Sequence, residues 1–130
     1  MIYLDSSVAL AHLLAEDRRP AASLWNESLV SSRLLEYEVW NRIHFRQLAK
    51  THADAARALI GRVYLIELDR EVIVRAVDPF PLHVRTLDAL HLATAQFLRA
   101  RGQELSLATY DTRLQTAARA LHIPLYALAA

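Results

Sequence analysis

Four acids, Asp5, Glu38, Asp88 and Asp111, stand where the sequence points to chemistry rather than to a solvated surface. Asp88 opens Leu87-Asp88-Ala89-Leu90-His91-Leu92-Ala93-Thr94-Ala95, a helical run that is apolar or small nearly all the way round. A carboxylate in a first turn is favoured by the helix dipole, and Thr86 is placed to cap. Those facts alone allow Asp88 a purely structural role, satisfied by backbone N–H groups. An acid in apolar surroundings also calls for a partner or a metal, because burying an unpaired charge is costly. Asp5 follows the apolar triplet Ile2-Tyr3-Leu4, Asp111 follows residues 105–109 by two positions, and Glu38 lies after residues 29–32.

If these acids share one pocket, they need help. Two unit charges about 4 Å apart repel by about 4 kcal/mol at an effective dielectric near 20. Four carboxylates contain several such pairs, more than a small domain readily absorbs. Either some stay protonated or a divalent cation binds. All-oxygen ligands select a hard ion, Mg2+ or Mn2+, which keeps several of its waters. Such an ion activates water and stabilises charge on a phosphoryl group, so the chemistry implied is metal-assisted phosphodiester hydrolysis.

The elements that must position these acids follow from pattern and punctuation. Residues 2–4 read as a short buried strand ending at Asp5, and Asp5-Ser6-Ser7 as a cap for a helix over 8–15. Pro20 is expected to begin a second helix reaching about Val30, and residues 29–32 suit a second strand. A long helix over 34–49 and an amphipathic one over 52–63 are expected to pack as a hairpin. Residues 64–68 are the clearest strand by composition. A short helix over 70–77 stops at Asp78-Pro79-Phe80-Pro81. The central helix ends near Arg101 with Gly102 as its cap. A strand over 105–109, a helix over 112–121 and a final strand over 125–128 complete the chain. Short apolar strands alternating with helices predict one α/β domain over residues 1–130, a three-layer arrangement with a short parallel sheet covered on both faces. In such a sheet a site lies beyond the carboxyl ends of the strands, where Asp5 and Asp111 are expected.

Composition narrows the class. With 130 residues and 54% hydrophobic content the chain has ample core for one domain. Fourteen Arg and one Lys against fourteen acids leave a net charge of +1, so a polyanion must be gripped locally rather than by the whole protein's field. The preference for Arg suits bidentate phosphate contacts and equally a GC-rich coding sequence. No Cys is present, which excludes disulfides and thiolate metal sites. The start, Met1-Ile2-Tyr3-Leu4-Asp5, lacks the basic region of a signal peptide, and no uncharged run is long enough to span a bilayer. A cytoplasmic protein is expected.

Four segments together resemble the PIN-domain ribonucleases. Met1-Ile2-Tyr3-Leu4-Asp5-Ser6-Ser7 resembles their opening strand, whose Asp is followed two residues later by Ser or Thr. Ser32-Arg33-Leu34-Leu35-Glu36-Tyr37-Glu38 is similar to their Ser-x-Leu-x-x-x-Glu segment, residues 87–95 look like their most recognisable stretch, and Thr109-Tyr110-Asp111 is similar to their Thr-x-Asp. Order and spacing match along the chain. The Asp111 segment departs by continuing Thr112-Arg113-Leu114 without an aromatic, and by reaching His122 where Gly is common. At this length the chain resembles the VapC-type toxin of a VapBC toxin–antitoxin pair. The resemblance implies a Mg2+- or Mn2+-dependent endoribonuclease acting on structured RNA, often transfer RNA, through a metal-activated water. It also implies a homodimer held inactive by a VapB-like antitoxin. By position Asp5, Glu38, Asp88 and Asp111 inherit the catalytic, metal-binding role, with Ser7 and Thr109 as supporting hydroxyls.

Glu36 rivals Glu38, but the two lie about 200° apart around a helix and the Ser32 and Leu34 register favours Glu38. His91 falls on the core stripe, where it reads as a packing residue rather than a metal ligand. Arg42, four residues after Glu38, is expected to pair with it, with an RNA phosphate contact as the alternative. Arg33, Arg85 and Arg113 flank acidic segments and are candidates for RNA phosphate contacts. Trp25, Tyr37 and Trp40 read as core or dimer interface. The remaining acids, among them Glu16 and Asp17, read as solvated. Competing functions are a PIN nuclease for ribosomal RNA processing or for DNA, a catalytically idle partner-binding PIN module, and a phosphoacceptor receiver domain. The last wants paired acids after the first strand and a late Lys, whereas the sole Lys is Lys50 in a helix.

Overall fold

A computed structural model describes residues 1–128. Four parallel strands, β1 (Ile2–Leu4), β2 (Leu29–Ser32), β3 (Tyr64–Ile66) and β4 (Ser106–Ala108), form one sheet in the order β3-β2-β1-β4. Six helices surround it: α1 (Ser6–Leu13), α2 (Leu34–Phe45), α3 (Ala49–Gly61), α4 (Arg70–Val77), α5 (Thr86–Ala100) and α6 (Thr112–Ala120). A 3-10 turn spans Ala22–Asn26. Among the described residues no helix is long and apolar enough to cross a membrane.

The strand alternation sorts side chains into two cores. Ile2 and Leu4 of β1 and Leu29 of β2 face a cluster built with α1, α2 and α3, including Val8, Leu24, Leu35, Val39, Ile43 and Ile60. Tyr3 and Val30, one position out of phase, face the opposite cluster of Leu92, Ala95, Leu98, Leu107, Leu114 and Ile123. Helices therefore cover both faces, as expected for a parallel sheet. Each fully enclosed Leu or Ile contributes roughly 1.5–3 kcal/mol relative to exposure. Polar groups inside are satisfied locally: Ser31 Oγ donates to the Leu4 carbonyl at 2.7 Å, and Ser32 Oγ accepts from the Leu34 amide at 3.1 Å.

Several elements differ from the sequence expectation. Pro20 opens no long helix; only the 3-10 turn around Leu24 forms before β2. The helix expected over 34–49 breaks, because Gln47 takes a left-handed conformation (φ 57°) between α2 and α3. Ala15 and His122 end α1 and α6 in the same way, and Gly102 (φ 87°) ends α5. The left-handed backbone at His122 shows the physical reason a Gly suits that position. Residues 64–68 shrink to three strand residues at the sheet edge, with Tyr64 exposed. The final strand reduces to one parallel bridge between Leu107 and Leu125. Thr86 does not cap α5; Arg85 holds the cap position and makes no side-chain capping bond.

Candidate active site

All four acids line one open pocket beyond the carboxyl ends of β1 and β4, together with Ser6, Ser7, Glu16, Asp17, Arg18, Arg42, Arg85 and Tyr110. Asp5 is reached directly from β1 and extends the ladder by one bond, its amide donating to the Ala108 carbonyl at 3.0 Å. It then caps α1. Asp111 plays the same part three residues beyond β4, where its Oδ1 accepts from the amides of Arg113 (2.9 Å) and Leu114 (3.3 Å) at the start of α6. Capping satisfies otherwise orphaned helix N–H groups, so both carboxylates are fixed by backbone as well as by sequence position. Asp88 comes from the first turn of α5, and Glu38 from α2.

Asp5 is the most tightly held. Its Oδ2 accepts from the Ser7 hydroxyl at 2.6 Å, the Thr109 hydroxyl at 2.7 Å and the Ser7 amide at 3.3 Å. Each hydroxyl has one proton, and both are given to Asp5; their lone pairs accept from the Tyr110 amide (3.0 Å, on Ser7) and the Asp111 amide (3.0 Å, on Thr109). The Gln115 side-chain amide in turn donates to the Thr109 carbonyl at 2.8 Å. This network ties the end of β1 to the end of β4, and Asp5 is buried within it.

Glu38 is held from below. Its Oε1 lies 2.5 Å from Nε2 of His91, and its Oε2 accepts from the Ser6 hydroxyl at 3.2 Å. His91 is buried, and its Nδ1 meets the Tyr3 hydroxyl at 2.8 Å. Burial opposes charge on His91, yet the hydrogen bond and charge of Glu38, with Asp5 and Asp88 beyond, raise its pKa above the ordinary value. Burial likewise pushes the Tyr3 hydroxyl well above the usual tyrosine range and keeps it protonated.

The other side of the pocket is held by charge. Arg85 spans two acids, Nε to Asp88 Oδ2 at 3.5 Å and Nη2 to Asp111 Oδ2 at 3.2 Å, while remaining largely exposed. Burial raises the Asp88 pKa, Asp111 raises it further, and Arg85 works against both; Asp5 adds a smaller upward push. A carboxylate that resists ionisation beside two other acids gains from any cation that enters.

Whether a metal fits is a question of donors. The set is all oxygen and suits a hard ion. Among the described residues no three His, Cys, Asp or Glu side chains are close enough to enclose an ion. The pocket is therefore no closed cage, and an ion held there would keep part of its water shell, as Mg2+ ordinarily does.

Other expectations divide. Glu36 faces Arg33 on the surface and lies outside the pocket, as does Arg33, which also pairs with Glu67 at 2.5 Å. Arg113 is exposed and not among the pocket residues. Arg42 does not pair with Glu38, which turns to His91 and Ser6 instead. Trp25 and Trp40 pack against the first core, whereas Tyr37 is exposed. Arg42, weighed as a phosphate contact, does border the pocket, whereas sequence reasoning missed that Arg18, Glu16 and Asp17 also do. It also missed the bond from His91 to Glu38, although His91 sits one helical turn after Asp88. Arg18, stacked 4.8 Å over the Tyr110 ring, lies in a charged turn that gives no periodic signal.

Comparison with known proteins gives a consistent relationship. A family model described as the PIN domain matches residues 2–120. The chain is similar to Ribonuclease VapC46 of Mycobacterium tuberculosis (strain ATCC 25618 / H37Rv), 35% identical over 124 residues that cover 92% of each protein. It is similar also to Ribonuclease VapC35 of the same species (strain CDC 1551 / Oshkosh), 32% identical across 98% of this chain and 96% of the relative. Ribonuclease VapC47 is 30% identical over 92% of this chain and 90% of its own length.

Proposed function

The chain belongs to the PIN-domain family, and from that premise we propose that it is a Mg2+- or Mn2+-dependent endoribonuclease, the toxin of a VapBC-type pair. The observation that carries the reading is the convergence of Asp5, Glu38, Asp88 and Asp111, from four separate segments, on one pocket. The relatives are all named ribonucleases, which supports the substrate class.

In this reading Asp5, Glu38, Asp88 and Asp111 hold the cation. Ser7 and Thr109 fix Asp5 so that its ligand oxygen is already oriented. The four acids would hold a divalent ion whose chemistry, when bound, would be to offset their clustered charge and to supply an activated water at neutral pH. Arg18, Arg42 and Arg85 at the rim bind the phosphates flanking the scissile bond, in preference to Arg33 and Arg113, which lie outside the pocket. The substrate is a structured RNA such as a transfer RNA. A VapB-like antitoxin silences the site, and the cell compartment is the cytoplasm. The exposed apolar side chains of α4, Ile73, Val74 and Val77, suit a homodimer interface.

The test is RNA cleavage by purified protein with and without Mg2+. Cleavage that requires the ion and disappears in Asp88→Asn with the fold intact is expected; cleavage by Asp88→Asn at the unaltered rate contradicts the assignment. Expression without a partner should arrest growth, with relief by Asp5→Ala, and normal growth of cells carrying the unaltered chain contradicts the toxin role.

A further inference from the structure

The geometry points to Tyr3 and His91 as a positioning pair that holds Glu38 in its ligand orientation from inside the hydrophobic core. Neither residue faces the pocket: His91 is 2% exposed, Tyr3 not at all, and neither is among the side chains that line it. Their connection runs in one line, Tyr3 hydroxyl to His91 Nδ1 at 2.8 Å and His91 Nε2 to Glu38 Oε1 at 2.5 Å. An ionised Glu38 can only accept, so Nε2 carries the proton whichever charge the ring bears. In the neutral ring Nδ1 is then an acceptor and the Tyr3 hydroxyl its donor. Glu38 therefore fixes the tautomer, Tyr3 matches it by donating to Nδ1, and the ring held between them fixes the carboxylate's rotation.

A buried imidazole is an expensive way to fill space, since its two nitrogens both need partners. Its buried neighbours along α5 are Leu92, Ala93, Thr94, Ala95 and Leu98, small or aliphatic save Thr94. What the imidazole adds is a rigid donor reaching from α5 across to α2. The ring meets Tyr3 edge-on, with centroids 5.8 Å apart, which further restricts its rotation. Partners behind a ligating group commonly alter metal affinity by about 10–100-fold. Without this one, Glu38 keeps only the 3.2 Å bond from Ser6.

The inference rests on the metal-site reading proposed above, and its test separates the two. Mn2+ is titrated into the full-length protein, followed by calorimetry and by the electron paramagnetic resonance signal of the ion, with metal-free melting recorded alongside. His91→Leu should weaken Mn2+ binding about 10–100-fold; it also leaves the Tyr3 hydroxyl and Glu38 short of a partner, so the metal-free protein should melt lower, and binding is compared at a temperature where both proteins are folded. His91→Gln, whose amide restores a donor, should return binding to within about threefold, and Tyr3→Phe should fall between the two variants. Mn2+ affinity unchanged in His91→Leu overturns the positioning role and leaves the metal reading standing. No uptake by the unaltered chain overturns both. Should His91→Leu fail to fold, Tyr3→Phe decides: weaker binding by the folded protein supports the pair, and unchanged binding refutes it.

Discussion

The two sides of the acidic pocket are built on different principles. Asp5 and Glu38 are held by hydrogen bonds from Ser7, Thr109, Ser6 and His91, the last reaching up from the core. Asp88 and the outer oxygen of Asp111 are held by one exposed cation, Arg85. The first side has its geometry before any ligand arrives. The second has its charge offset by a side chain that is 59% exposed and can leave. A site of this kind combines a preformed anchor with a replaceable counter-charge; under the proposed function, a divalent ion would find ligands ready on one side and would take the place of the arginine on the other.

Mutations on the two sides should therefore behave differently. Thr109→Val removes a hydroxyl donor from Asp5 without changing volume, and metal affinity should fall about 10–100-fold. The same change should cost about 1–3 kcal/mol of stability in denaturant unfolding, because a buried charged acceptor loses a partner. On the other side, Arg85→Gln should tighten Mn2+ binding by up to about fivefold, since an exposed pair is worth no more than about 1 kcal/mol. A loss in Arg85→Gln as large as that in Thr109→Val would erase the distinction between the two sides.

The smallest effect is on stability and depends on pH. The folded protein raises the Asp88 pKa above its ordinary value of 3.8, so folding favours the protonated form. That contribution is present at low pH and is lost as pH rises through the folded value, leaving a charge that opposes folding at neutral pH. Metal-free Asp88→Asn should melt a few degrees higher than the unaltered chain at pH 7, 1 kcal/mol being worth roughly 4 °C in a domain of this size. The gap should narrow as pH falls toward 3.8. An unchanged gap would show that burial and Asp111 do not burden Asp88 as described. A variant that gains stability while losing cleavage is what a strained functional carboxylate predicts.

The two strand-end acids, one on each side of the pocket, were the more legible in sequence, and for a physical reason. Asp5 ends an apolar triplet and precedes Ser-Ser, and Asp111 follows a second apolar run, so strand ends and helix caps announce them. The parallel sheet and its six principal helices follow from the same alternation. His91 was assigned to the right face of α5, but periodicity gives a face and not a partner, so its reach to Glu38 was hidden. The break at Gln47 was hidden too, because a non-glycine residue in left-handed backbone leaves no compositional mark. Residues 64–68, the most strand-like by composition, became a three-residue edge strand, since composition reports β preference and not place in the sheet. Arg18 and Arg42 reach the pocket by the fold of a turn and the rotation of a helix, and neither is written in a local pattern.

The central claim is that the preformed anchor exists to hold a divalent ion. Calorimetric titration of Mn2+ into the unaltered protein and into Asp5→Asn tests it most directly. The account predicts saturable uptake by the unaltered chain and binding weakened by at least about 100-fold in Asp5→Asn, a direct ligand mattering more than its supporting partners. Equal uptake by the two proteins, or none by either, would contradict it.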